Sequence, residues 1–139
     1  MKIYVASSWK NEYQQFVVKA LRANGHEVYD FKNPTEGNAG FSWTQIEPSP
    51  WTIPQFIDNL EHPIAEDGFK LDFDAMQWSD CTVMVGGCGS SAHLELGWAA
   101  GAGKRTVVYL PEMRDRELMI KVADLITPSF DAVLDFLGS

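Results

Sequence analysis

The sequence predicts an α/β protein built on a doubly wound parallel sheet with helices on both faces, and three observations predict it. Short β-rich runs alternate with stretches of helical periodicity at the spacing of βαβ units. Glycine and Asn-Pro stops fall between them, at Gly25, Asn33-Pro34 and Gly86-Gly87. The run CTVMV at 81–85 reads as a strand buried inside the fold. Right-handed crossovers between successive parallel strands then place helices on both sides of the sheet.

Residues 2–6, KIYVA, form the first strand, which breaks at Ser7-Ser8-Trp9. A helix follows, with Tyr13, Phe16, Val17, Ala20 and Leu21 on one face, and Gly25 stops it. Residues 26–31 give a second strand, ended by Asn33-Pro34. From there to Pro63 periodicity is lost. The segment carries five prolines and the aromatics Phe41, Trp43, Trp51 and Phe56, with room for one short helix after Thr52. Leu71, Phe73, Met76 and Trp78 mark the next helix, 81–85 the third strand, 91–102 a helix and 105–110 the fourth strand. Residues 115–125 and 131–137 read as helices, with room for a short fifth strand around 124–127. The chain has 139 residues, 45% of them hydrophobic, enough for one core and too few for two, so 1–139 is a single domain.

The formal net charge of -8 argues against a surface that tracks a nucleic-acid polymer or an anionic membrane, because both are bound through clustered Lys and Arg. A small anionic ligand in one local pocket remains compatible with it. The start MKIYVASS lacks the order of a signal peptide, and no apolar run approaches the roughly 18 residues of a membrane span, so a cytoplasmic protein is expected. Cys81 and Cys88 make no disulfide framework, and Cys88 with His93 is too few ligands for zinc. Neither a metal nor a cofactor is expected.

Ligands of doubly wound sheets bind beyond the carboxyl ends of the strands, where strand order reverses. With the order 2-1-3-4-5, that crevice lies between the first and third strands and brings Ser7, Ser8 and Trp9 beside the loop GGCGSS at 86–91. Gly87 and Gly89 allow close backbone approach, Ser90 and Ser91 supply hydroxyls, and free N–H groups at a helix start attract an anion or an ester oxygen.

The first acid after this loop, Glu95, sits among apolar residues, and two roles fit it. One is a helix-start acid favoured by the macrodipole; the other is a nucleophile or general base at the crevice. A capping box does not account for it, since Leu94 and His93 stand three residues after Ser91 and Ser90. On a helical wheel Ala92, Leu96, Ala99, Ala100 and Gly103 share a face with Glu95 at its edge, where the side chain tilts back toward the loop.

Asp72 and Asp74 point about 200° apart on a helix, so at most one easily faces the same site. Asp80, at a helix end, reads as a cap or turn residue, and Tyr4 on its own reads as core. The tryptophan-rich segment reads as a packed loop, yet aromatics such as Trp43 also stack flat bases. Leu94, Trp98 and Gly101 make the 91–102 helix apolar on a second side, which predicts a partner subunit: a homodimer or higher homo-oligomer.

The stretches KIYVASSW, LDFDAMQWSDCTVMVGG and GSSAHLELGWAAGAGKRTVV resemble the nucleoside 2-deoxyribosyltransferase superfamily, which includes nucleoside and nucleotide deoxyribosyltransferases and 2'-deoxynucleoside 5'-monophosphate N-glycosidases. The most specific piece is the order Asp72, Asp80, Glu95, Gly97, Ala99, Gly103, Lys104: two acids before a strand, then a small-residue loop leading to E-x-G-x-A and G-K. The resemblance implies a flavodoxin-like fold, a five-stranded sheet in three α/β/α layers. It also implies cleavage of the N-glycosidic bond of a (deoxy)nucleoside or nucleoside 5'-monophosphate through a glycosyl-enzyme intermediate, ending in base transfer or hydrolysis. The family's nucleophilic Glu matches Glu95, its strand-one Tyr matches Tyr4, and its helix-borne Asp matches Asp72. Candidate substrate contacts are Ser7, Ser8, Trp9, Gly87, Gly89, Ser90, Ser91, Asp74 and Trp43.

Two departures leave choices open. Members that act on 5'-monophosphates often carry Ser six residues before the Glu and Gly four before it, where this chain has Gly89 and Ser91. Transferases complete their sites with residues near a neighbouring subunit's C-terminus, and DAVLDFLGS matches no such motif. The alternative of a different class is a non-catalytic nucleotide-binding sensor of the same fold.

Overall fold

The computed structural model describes every residue except Glu47, Asp115 and Ser139. Among the described residues the strands are β1 (Lys2–Ala6), β2 (Glu27–Asp30), β3 (Cys81–Val85), β4 (Arg105–Tyr109) and β5 (Leu125–Thr127). They pair in parallel throughout, in the order β2-β1-β3-β4-β5. The helices are α1 (Gln14–Ala23), α2 (Ile53–Asn59), α3 (Pro63–Trp78), α4 (Ser90–Gly101) and α5 (Phe130–Phe136).

Every residue of β3 is buried, as a strand covered on both faces requires. One face of the sheet, with Ile3, Val5, Val83 and Val107, packs on α1 and α5 through Val17, Leu21 and Val133. The other face, with Tyr4, Ala6, Met84 and Val108, packs on α3 and α4 through Met76, Ala92 and Leu96. The alternation of strand side chains thus divides the core into two layers, giving the doubly wound α/β/α architecture expected.

Helix α1 turns inward a face that apolar spacing does not predict. Gln14 is fully buried beside Val17, Val18 and Leu21, whereas Phe16 is 52% exposed. The cause is Asp30, itself buried, whose carboxylate accepts from the side-chain amides of Gln14 and Gln15 at 2.9 Å and of Asn33 at 3.1 Å. Burial pushes the Asp30 carboxyl up, but these bonds outweigh it and hold the group below its ordinary value.

The helix expected at 115–125 is absent from the described part of that stretch; its first residue, Asp115, lies outside the described residues. A 3-10 turn at Leu118–Val122 leads straight into β5. Leu118 and Met119 are more than 70% exposed while Ile120 packs on the core, so the apolar run has no continuous helical face to bury.

In the proline-rich segment the short helix after Thr52 is present as α2. Thr52 Oγ1 accepts from Gln55 N at 3.2 Å and Gln55 Oε1 accepts from Thr52 N at 2.8 Å, a reciprocal cap. None of the helices in the described residues is long and apolar enough to cross a membrane.

Candidate active site

The carboxyl ends of β1 and β3 are cross-tied where strand order reverses. Ser7 Oγ donates to Val85 O at 3.0 Å, and Asn11 Nδ2 donates to Gly86 O at 2.6 Å. Above this junction opens a cavity of about 660 Å³. Its floor is polar, formed by Ser7, Ser8, Gly89, Ser90 and Ser91 with Asp72 and Glu95. Five aromatic side chains, Trp9, Phe31, Phe41, Trp43 and Phe69, make up much of the rest of its lining.

Glu95 enters from the second turn of α4, whose N-cap, Gly89, offers no side-chain cap. Its Oε2 accepts a hydrogen bond from Tyr4 Oη, rising from β1 beneath it. Asp72 enters from α3, and its Oδ1 accepts from Tyr29 Oη on β2 at 2.7 Å. Tyr4 and Tyr29 are direct register partners on adjacent strands, and their rings stack at 5.4 Å and 13°. Two carboxyl groups therefore share one cavity, each held by one phenol of a stacked pair.

The electrostatics follow from this burial. Removal from water pushes Glu95 up to about 7; the Tyr4 bond opposes the shift and the Asp72 charge adds to it. Burial also raises Asp72 above the ordinary Asp range, against the Tyr29 bond. Both phenols are raised, first by burial, so they remain proton donors throughout the neutral range. Groups so coupled titrate as a pair, and near neutrality this pair holds on to a proton that two exposed acids would have lost.

Lys104, the last residue of the sequence pattern, acts at a distance. Its ammonium donates to Gln77 O at 2.8 Å and to Ser79 O, capping the carboxyl end of α3 and so fixing the helix that carries Asp72.

Of the residues nominated from sequence, Ser7, Ser8, Trp9, Trp43, Asp72, Gly89, Ser90, Ser91 and Glu95 all line the cavity, and Tyr4 lies directly beneath Glu95. Two do not reach it. Asp74 sits on the solvent side of α3, paired with Lys70 at 2.6 Å, because a helix presents only one of Asp72 and Asp74 inward. Gly87 turns away through a left-handed conformation, φ 82°, and its carbonyl is held at the rear of the loop by Asn11 Nδ2 at 3.3 Å.

Sequence reasoning missed Tyr29, Phe31 and Phe69. Tyr29 shares the sheet face of Tyr4 only through the register of β2 on β1, which the structure supplies. Among the described residues no group of three His, Cys, Asp or Glu is placed to hold a metal ion.

No family profile matches the chain, and no curated protein matches it significantly. Solved structures do. A 2-deoxyribosyltransferase from the psychrotolerant bacterium Bacillus psychrosaccharolyticus superposes with a TM-score of 0.66 at 26% identity, over 96% of this chain and 90% of that one. The fold is that of the nucleoside 2-deoxyribosyltransferase superfamily. The same superfamily fold is seen in the CMP N-glycosidase BcmB of Clostridium botulinum, with a TM-score of 0.55 and 20% identity over 99% of this chain and 98% of that one. A conserved protein from Enterococcus faecalis matches with a TM-score of 0.61 and 16% identity over 97% and 95%. In this superfamily fold the cavity at the β1/β3 switch point is where a ligand is expected on topological grounds alone.

Proposed function

We propose that the protein cleaves the N-glycosidic bond of a (deoxy)nucleoside or nucleoside 5'-monophosphate through a glycosyl-enzyme intermediate on Glu95. The observation that carries this reading is the pair of half-buried carboxyl groups, Glu95 and Asp72, each tied to a tyrosine within one half-aromatic cavity. The similarity to a 2-deoxyribosyltransferase supports it.

The working form is the pair with one proton. Glu95 Oε2 is engaged by Tyr4, which leaves Oε1 to attack C1' as positive charge develops on the sugar. The C1'–N bond breaks, its electron pair leaves with the base, and the proton on Asp72 passes to the departing nitrogen. In the second half, water or an acceptor base gives a proton to Asp72 and bonds to C1' as the Glu95 ester breaks. Water yields the free sugar and an acceptor base yields a new nucleoside. The apolar wall stacks the base, and Ser90 and Ser91 at the α4 start receive the 5' end of the sugar.

The exposed apolar face formed by Leu94 and Phe69, beside the Phe73–Trp98 contact, is the proposed self-association surface of a homodimer.

The test is incubation with a panel of nucleosides, deoxynucleosides and their 5'-monophosphates, with and without an acceptor base, followed by chromatography for released or exchanged base. A rapid acid quench and peptide mass analysis should find one sugar unit on the peptide carrying Glu95. Equal activity of wild type and Glu95→Gln would sink the proposal.

A further inference from the structure

We propose that Tyr29 is a positioning residue that fixes the orientation of Asp72, directing Oδ2 into the cavity as the oxygen that handles the proton. The inference rests on the N-glycosidic reading for its chemistry, but its physical content stands separately. Tyr29 is not among the residues that line the cavity; it acts through Asp72.

Three features of the geometry carry it. The Tyr29 hydroxyl donates to Asp72 Oδ1 at 2.7 Å, so that oxygen is occupied, while among the described residues no donor engages Oδ2. The Tyr29 ring is itself immobilised, since it pairs in register with fully buried Tyr4 and stacks on it nearly parallel. Tyr4 holds Glu95 in the matching way, through Oε2 alone. The stack thus works as a rigid spacer: β1 supplies the phenol for one carboxyl and β2 the phenol for the other. Sheet register fixes the spacing of the two phenols, and through their bonds it steers the two free oxygens that α3 and α4 bring to the cavity.

The arrangement also orders the two ionisations. The charged and titratable groups facing this stack are Glu95 on α4, Asp72 on α3 and Asp30 at the end of β2. Each phenol stabilises the ionised form of its own carboxyl. Removing the Tyr29 hydroxyl therefore raises Asp72 selectively, whereas removing that of Tyr4 raises Glu95.

The experiment compares wild type with Tyr29→Phe, which keeps the ring and its stack and deletes only the donor. In the full-length unliganded protein labelled with 13C at aspartate carboxyls, Asp72 is assigned by its loss in Asp72→Asn and titrated. Its midpoint should move to higher pH in Tyr29→Phe and to lower pH when a fluorinated tyrosine, a stronger donor, occupies position 29. In base-release assays kcat should fall about 10- to 100-fold with KM little changed, and the acid limb of the pH profile should move upward.

An unmoved Asp72 midpoint in both variants overturns the inference, as does a fall confined to KM. If the midpoint moves as expected while wild type releases base from no substrate, the positioning role stands and the N-glycosidic reading fails.

Discussion

Gly68 lies so close to Phe41 that a Cβ built at position 68 would stand 2.8 Å from the Phe41 Cβ. The contact seats the proline-rich segment directly against α3, one turn before Asp72, and makes Phe41 part of the cavity wall. The atom met is next to backbone rather than at the tip of a flexible chain, so it has little room to yield.

Gly68→Ala should therefore act against ordinary helix preference. Alanine favours a helix interior by about 1 kcal/mol, while overpacking costs about 1–3 kcal/mol. The expected outcome is a lower Tm and a raised KM with kcat less affected, because the displaced Phe41 deforms the wall and leaves the carboxyl pair in place. A variant with higher Tm and unchanged KM would show that Phe41 moves aside freely.

The coupled acids predict a bell-shaped pH dependence of kcat/KM in the free enzyme. Activity needs one proton on the pair, so it falls as the last proton leaves around pH 7 and falls again in acid as both carboxyls fill. Tyr4→Phe removes a bond that lowers Glu95, so its alkaline limb should move to higher pH. An alkaline limb that stays in place would detach Glu95 from that ionisation.

Glu95 also makes stability depend on pH. Its folded value of about 7 lies above the ordinary 4.5, so its contribution is fully present below about 4.5 and is lost as pH rises through about 7. Glu95→Gln should accordingly abolish turnover yet stabilise the fold at pH 8 by about 2–3 kcal/mol relative to wild type, with a much smaller gain at pH 5. Urea unfolding at the two pH values measures both. A gain of equal size at both would trace to packing instead.

Leu94 is 74% exposed on α4, on the side away from the sheet. If the apolar α3/α4 face joins two copies of the chain, Leu94→Arg should halve the mass seen in sedimentation without lowering Tm of the monomer. An identical mass for wild type and variant removes that surface from consideration.

Much of the frame was legible because it obeys simple periodicities. The strands at 2–6 and 81–85 coincide with β1 and β3, and the switch-point argument placed Ser7 to Trp9 against the glycine loop. Pattern alone leaves Glu95 between a helix-start acid and a crevice nucleophile, and the resemblance supplies the second role; the structure places its side chain in the cavity. What escaped the sequence depends on contacts between distant segments. Gln14 goes inside because Asp30 is there to bond it, a polar attraction that hydrophobic spacing does not register. Asp72 and Asp74 are equivalent until α3 is docked, and then one of them faces Tyr29 and the other Lys70. The role of Tyr29 needed the register of β1 on β2, which neither strand encodes alone.

The cavity is assembled from two sources of different kinds. The two carboxyl groups hang from α3 and α4 and their phenols from β1 and β2, whereas Phe31, Phe41 and Trp43 come from one contiguous stretch inserted between β2 and α3. That stretch does not close the cavity alone, since Trp9 comes from the loop after β1 and Phe69 from α3 beside Asp72. Exchanging the inserted stretch would therefore reshape one side of the cavity while the carboxyl pair and two of its aromatic neighbours stay in place.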